Sequence, residues 1–205
     1  MTRRVLTTIL GAATVSMAGS PAWAQEVHPT VFGTIGATYV YRVEDQGFGT
    51  GTDIGGGGGI QWKRLGVEVE VHRVMGLTPK TVGCAVVNVP CSGSAREGVV
   101  DPTLVSGNVS YLFRTGRVAP YVIGSLGAIS STSFNSLTTV TGGVATVSEF
   151  SEKDTGLAIG AGFGLDVALT PALSVRPEFR LYSASALSSS NLNLNRGSVA
   201  VRYRW

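Results

Sequence analysis

Gly197-Ser198-Val199-Ala200-Val201-Arg202-Tyr203-Arg204-Trp205 is the stretch from which the rest of the chain is read. Gly197, Val199, Val201, Tyr203 and Trp205 fall on one face, and Arg196, Ser198, Ala200, Arg202 and Arg204 on the other. A two-residue period of this kind is a β-strand with one apolar and one polar side. Its apolar side finishes on an indole, which is out of place as the exposed last residue of a soluble domain. Tyrosine and tryptophan rings suit a boundary between hydrocarbon and water, where the ring is dry and its polar edge is wet.

The opposite end agrees with an exported protein. Arg3 and Arg4 form a short basic region, Val5 to Ala18 is mostly apolar, and Ala22-Trp23-Ala24 has the small-x-small form of a cleavage site. Residues 1–24 are therefore expected to be a cleaved signal peptide, with Gln25 opening a mature domain, 25–205. The apolar stretch is too short for a membrane-spanning helix, which needs roughly 20 residues. The Thr2-Arg3-Arg4 start has a faint likeness to a twin-arginine signal, set aside if the mature chain crosses unfolded. Removing 24 residues from 205 leaves 181, enough for one domain. Losing Arg3 and Arg4 takes Lys+Arg from 16 to 14 against 13 Asp+Glu, so the mature chain is nearly neutral. With no polybasic run interleaved with aromatics, no nucleic-acid partner is expected. Cys84 and Cys91 are the only two cysteines. In an exported chain they are expected to form a disulfide across one connector. The alternative, a two-thiolate metal site, has no nearby histidine to complete it.

Between these ends the chain divides into eight alternating segments. The first, about Val31 to Val43, sets Ile35, Ala37, Tyr39 and Tyr41 against Thr34, Gly36, Thr38 and Arg42. The second, about Asp53 to Trp62, contains the glycine run 55–59, a poor strand former. Lys63-Arg64 turns tightly into the third, where Leu65, Val67, Val69 and Val71 alternate with Gly66, Glu68, Glu70 and His72. A long connector, about 75–98, holds both cysteines. The fourth ends in Tyr111-Leu112-Phe113, and the fifth begins near Val118 with an ambiguous facing. After a long Ser/Thr-rich connector, about 130–151, the sixth sets Leu157, Ile159, Ala161, Phe163, Leu165 and Val167 against Ala158, Gly160, Gly162, Gly164 and Asp166. The seventh sets Leu173, Val175, Phe179 and Leu181 against Ser174, Arg176, Glu178, Arg180 and Tyr182. Pro177 lies within it, where a missing ladder hydrogen bond predicts a bulge or local break.

Connectors that alternate long and short between eight strands predict an all-β fold: a closed eight-stranded antiparallel up-and-down transmembrane β-barrel. Short turns then face the periplasm and long loops face outward. Segments of about ten residues suffice to cross the apolar band. On that layout Tyr39 and Tyr41 fall near the outer interface. Trp62, Tyr111, Phe113, Tyr121, Tyr203 and Trp205 fall near the inner one, as two aromatic girdles require. A soluble β-sandwich is the rival fold. It predicts polar outward faces where Val, Leu, Ile, Phe and Trp stand.

The polar faces would line the lumen. Glu68, Glu70, His72, Asp166, Arg176, Glu178, Arg180, Arg202 and Arg204 are expected to form a lumen charge network, since an unpaired charge in a narrow interior is costly. An eight-stranded barrel is just wide enough for side chains to fill. A filled lumen is the simpler reading, and a small porin-like channel gated by those ion pairs is the alternative. Catalytic, cofactor-binding and metal residues: none are expected. His72 has no local serine partner, no Gly-x-Ser-x-Gly occurs, and no phosphate-binding glycine motif is present. The connector 130–151 could extend the wall as a hairpin and offer an edge for strand addition, or be a plain solvated loop.

Ala22-Trp23-Ala24, Pro120-Tyr121-Val122-Ile123-Gly124, the run from Gly160 to Pro171 into Leu173-Ser174-Val175-Arg176-Pro177-Glu178-Phe179-Arg180, and Tyr203-Arg204-Trp205 together resemble the small OmpA/OmpX-type outer-membrane β-barrel family. The likeness covers essentially the whole mature chain through a pattern many barrels share. It implies an eight-stranded barrel in the outer membrane of a Gram-negative cell, with Tyr203 and Trp205 as the barrel-assembly signal. Expected partners are outer-membrane lipid and lipopolysaccharide, the barrel-assembly machinery, and a surface partner through loops 75–98 and 130–151. A monomer is expected. The role implied is non-enzymatic: structural or surface interaction, in adhesion or envelope integrity. Ending at Trp205, the sequence differs from the full-length OmpA pattern in showing no cell-wall-binding domain.

Overall fold

The computed structural model describes residues 27–42, 49–77, 80–83, 93–141, 144–185 and 191–205. They form strands β1 (Val27–Arg42), β2 (Gly49–Trp62), β3 (Leu65–Met75), β4 (Lys80–Gly83), β5 (Gly93–Leu112), β6 (Val118–Thr141), β7 (Val144–Ala168), β8 (Leu173–Ser185) and β9 (Asn191–Arg204). The sheet order is β3-β2-β1-β9-β8-β7-β6-β5-β4, and a further β3–β5 pairing closes it. Eight long antiparallel strands thus make the barrel, and β4 is a short addition outside the closure. No helix among the described residues is long and apolar enough to cross a membrane.

Burial is inverted relative to a water-soluble domain. Ile35 is 60% exposed, Val69 59%, Leu126 58% and Ile159 63%, while Arg196 and Arg202 are each 1% exposed and Glu70 is wholly buried. Aliphatic side chains are ordinarily inside and guanidinium groups outside, so the outer wall is built for hydrocarbon. In β3 the two-residue period appears directly, every odd position exposed and every even one buried. A sandwich would require the reverse on these faces.

Closure brings β1 against β9 with Thr30 opposite Arg204 and Gly33 opposite Val201. The glycine run pairs without interruption on both sides, against β1 and β3. Its inward glycines are filled by neighbours: a Cβ on Gly57 would stand 2.8 Å from the Phe32 ring, and one on Gly59 2.9 Å from Glu68 Cγ. The poor intrinsic strand propensity is overridden because larger residues would not fit.

Of the two readings of 130–151, the hairpin that extends the wall is the one found: β6 and β7 stay paired from Val118 opposite Val167 up to Thr141 opposite Val144. Two other sequence expectations change. Part of 75–98 is likewise strand, since β4 pairs with the outer end of β5, Lys80 opposite Glu97 through Gly83 opposite Ser94. Where β5 leaves the barrel, its register against β6 slips between Val100 and Thr103. Asp101 and Pro102 stand there opposite the single residue Ser131, and proline has no N–H to give to the ladder, which suits it to a bulge. At Pro177 the register is kept. Pairing with β9 is unbroken, whereas the β7 ladder skips from Gly164–Glu178 to Val167–Val175. The predicted break is therefore one-sided, without a bulge. Cys84, Cys91 and the predicted signal peptide lie outside the described residues.

Candidate functional site: a layered lumen and an outward sheet

Alternation on β2, β3, β7, β8 and β9 turns a set of charged side chains inward, where they meet in two tiers. In the inner tier Glu68 is shared by Arg176, whose Nη1 is 3.1 Å from Oε1, and by Arg202. Arg202 also donates to Gln61 Oε1 at 3.3 Å. Asp166 Oδ2 lies 3.9 Å from Arg202 and 3.8 Å from Arg204. The Arg176 guanidinium stacks 4.1 Å above the Tyr121 ring.

The middle tier centres on Glu70. It accepts from Arg196 Nη2 at 2.8 Å, pairs with Arg180 Nη1 at 2.9 Å, and takes a hydrogen bond from Asn108 Nδ2 at 3.2 Å. Arg196 Nε stands 2.9 Å from Asp53 Oδ1. Neither atom makes an aligned hydrogen bond, so this contact is a charge pair only. Asp53 Oδ2 meets His72 Nδ1 at 3.0 Å. Arg180 pairs with Glu178, which accepts from Tyr121 Oη at 2.7 Å. Across both tiers Asp53, Glu68, Glu70, Asp166 and Glu178 face Arg176, Arg180, Arg196, Arg202 and Arg204. Acids and guanidinium groups balance one for one.

Above the charges lies a layer the sequence reading did not anticipate. Val40, Leu104, Ile129, Ala158, Tyr182, Ala184, Leu192 and Leu194 point inward and pack together, with Leu77 against them. A second apolar cluster, Leu112, Ala119, Tyr121 and Ile123, lines the β5–β6 side of the interior beside the charges. Water and ions would have to cross a dry layer as well as the salt-bridged ones.

All nine residues of the expected network turn inward, Arg204 being the most accessible at 30% of its side chain. Asp53, Arg196, Asn108 and Gln61 join them unforeseen. Arg196 shares its parity with Arg202 and Arg204, and Asp53 with Gln61, so strand parity was the available signal. Tyr121 is a correction: it is 1% exposed and bonded inside, not in the inner girdle. The ambiguous facing of the fifth strand concealed this. Tyr203 and Trp205 do face outward, with ring centroids 5.9 Å apart, as do Tyr111 and Phe113 at 5.9 Å. His72 has Asp53, Arg196 and the Tyr182 ring around it. That environment orients an imidazole, and among the described residues the contacts around it include no serine or cysteine for nucleophilic chemistry. Among the described residues no three His, Cys, Asp or Glu side chains converge as a metal ion would need.

Outside the wall, β5, β6 and β7 continue as one sheet. The described pairing of β7 with β8 begins at Leu157, and among the described residues no strand pairs with the far edge of β7 between Val144 and Gly156. Val147 and Phe150 on this part are 57% and 68% exposed.

A closed barrel of this strand count, with an apolar wall and a charged interior, defines an integral outer-membrane protein. The chain belongs to the outer membrane protein β-barrel domain family, whose model matches residues 10–204. Members of this family reside in the bacterial outer membrane. No curated protein matches the chain in sequence. In fold it is similar to Neisserial surface protein A, at 16% identity and a TM-score of 0.55, with 88% of this chain and 97% of that one covered. It is similar also to Ail, the attachment invasion locus protein of Yersinia pestis, at 14% identity and a TM-score of 0.52, covering 88% and 99%. A major outer membrane protein from Thermus thermophilus matches at 12% identity and a TM-score of 0.52, covering 87% and 99%.

Proposed function

We propose that this protein is a non-enzymatic barrel of the Gram-negative outer membrane that acts in surface interaction, adhesion or envelope integrity, through its outward sheet. The observation that carries this reading is the continuation of β6 and β7 beyond the wall, with an edge on β7 that no strand among the described residues pairs. From Thr132 to Thr141, at about 3.3 Å per residue, β6 projects roughly 30 Å along its own direction. An open edge offers a row of N–H and C=O groups to an extended partner segment, and flanking side chains supply selectivity. Two barrels of similar fold are named for the cell surface and for attachment and invasion, which supports the same role here. The dry layer above the ion pairs favours a sealed lumen over the gated channel.

The same reading takes residues 1–24 as a cleaved export signal, with Cys84 and Cys91 bridged in the outward segment between β4 and β5. It is tested by replacing residues 135–150 with a tight turn. Cells displaying either form are applied to immobilised extracellular-matrix proteins and heparin. Binding by the intact protein that disappears in the shortened one, with the barrel still heat-modifiable on gels, supports the proposal. Equal binding by both forms, or none by the intact protein, overturns it.

A further inference from the structure

We propose that the inner rim carries a site for an anionic glycerophospholipid, formed by the β2–β3 turn and the aromatic wall beside it. The inference goes beyond the surface role and depends only on short turns facing the inner leaflet, which is general for outer-membrane barrels. Two neighbouring turns define the place. Arg64 O accepts the amide of Leu112 at 2.8 Å, which sets the Lys63-Arg64 turn beside the segment Phe113 to Arg117. Those turns present Lys63, Arg64, Arg114 and Arg117, and neither contains a carboxylate. Arg64, Arg114 and Arg117 are exposed, and the Lys63 ammonium stands 6.0 Å above the Trp62 ring.

Directly on the membrane side of these cations, Trp62, Lys63, Arg64, Leu65 and Tyr111 line a shallow, open cleft of about 400 Å³. Its cationic lip and apolar floor match one molecule end to end. A phosphodiester meets the lip, and the first part of an acyl chain lies along Leu65, Trp62 and Tyr111. Cationic side chains at a membrane surface attract anionic lipid electrostatically, and a pocket between spanning elements adds selectivity for the headgroup. The backbone points the same way. Lys63 has φ of 51°, a conformation that glycine adopts freely and a lysine adopts with strain. The turn is thus built with a charge where its geometry favours none. A detached polar ligand would leave the apolar floor uncovered, so a lipid is the occupant that uses the whole cleft.

The test uses the refolded barrel in dodecyl maltoside, titrated with dioleoyl-phosphatidylglycerol or dioleoyl-phosphatidylcholine and read by native mass spectrometry. The acyl chains are identical, so only the headgroup differs. The expected result is retention of phosphatidylglycerol over phosphatidylcholine by about 10-fold or more. The preference should fall at least ~10-fold in K63Q/R64Q, given roughly a five-fold contribution per cation at a membrane surface. K153Q, on the exposed outward part of β7, should keep the preference. Equal retention of both lipids by the unaltered protein overturns the proposal without recourse to any variant. So does an unchanged preference in K63Q/R64Q, or a loss in K153Q as large as in K63Q/R64Q. Heat modifiability of each variant establishes that the barrel has closed.

Discussion

Replacing Arg196 with methionine tests whether the lumen is held by mutual neutralisation of its charges. Arg196 is 1% exposed and touches four groups: Asp53 at 2.9 Å, Glu70 at 2.8 Å, Thr34 Oγ1 at 3.1 Å and His72 Nε2 at 3.5 Å. Methionine fills much of the same volume but leaves Asp53 and Glu70 facing each other with one guanidinium fewer. Breaking a buried ion pair from one side costs about 3–5 kcal/mol, because the surviving charge is stranded away from water. With a urea slope of about 1–3 kcal/mol per molar, the unfolding midpoint in lipid vesicles should drop by roughly 2 M. Tryptophan fluorescence follows the transition, since Trp62 and Trp205 both lie on the outer wall. The companion variant E70Q/R196M removes one charge of each sign. Asp53 then retains His72, and Arg180 retains Glu178. The double variant should therefore lose less than the sum of E70Q and R196M, by about 2 kcal/mol of coupling. An R196M loss below about 1 kcal/mol, or strict additivity of the pair, would refute the argument that charge balance holds this interior.

Three further outcomes are expected. Tyr121→Phe removes the donor to Glu178 at 2.7 Å and should lower stability by about 1.5–3 kcal/mol, the range for hydrogen bonds to charged groups, measured by the same urea titration. Gly57→Ala places a methyl group 2.8 Å from the Phe32 ring and should prevent the gel shift of a closed barrel. Gly33→Ala, with nothing within 4 Å of its added carbon, should leave that shift intact. In planar bilayers the unaltered protein should show no steady conductance, because an apolar layer lies above interlocked ion pairs; sustained openings would contradict that packing.

The strands were legible where facing was unambiguous. Glu68, Glu70 and His72 alternate with four aliphatic residues, and that parity alone separates lumen from lipid. Val40, Leu104, Leu192 and Leu194 were not legible as a lumen layer, because apolar residues at strand ends look alike whether they face lipid or a neighbouring side chain. Tyr121 was misplaced for a related reason: Pro120, Tyr121, Val122 and Ile123 show no polar–apolar alternation. The length of β6 and β7 was left open by their composition, 130–151 reading as a hairpin or as a solvated loop. Serine and threonine read as loop, yet threonine is a good strand residue once a paired neighbour is present.

The apolar layer has a consequence for how the protein can change. It lies within the wall, below the last described β7–β8 pair, Leu157 opposite Ser185, so it separates two sets of residues with different constraints. Beneath it a substitution disturbs a neutral, interlocked set of charges and threatens the whole barrel. Above it, strands and connectors can lengthen, shorten or alter their surface while the membrane stays tight. Diversification of the exposed part is thereby uncoupled from the integrity of the envelope.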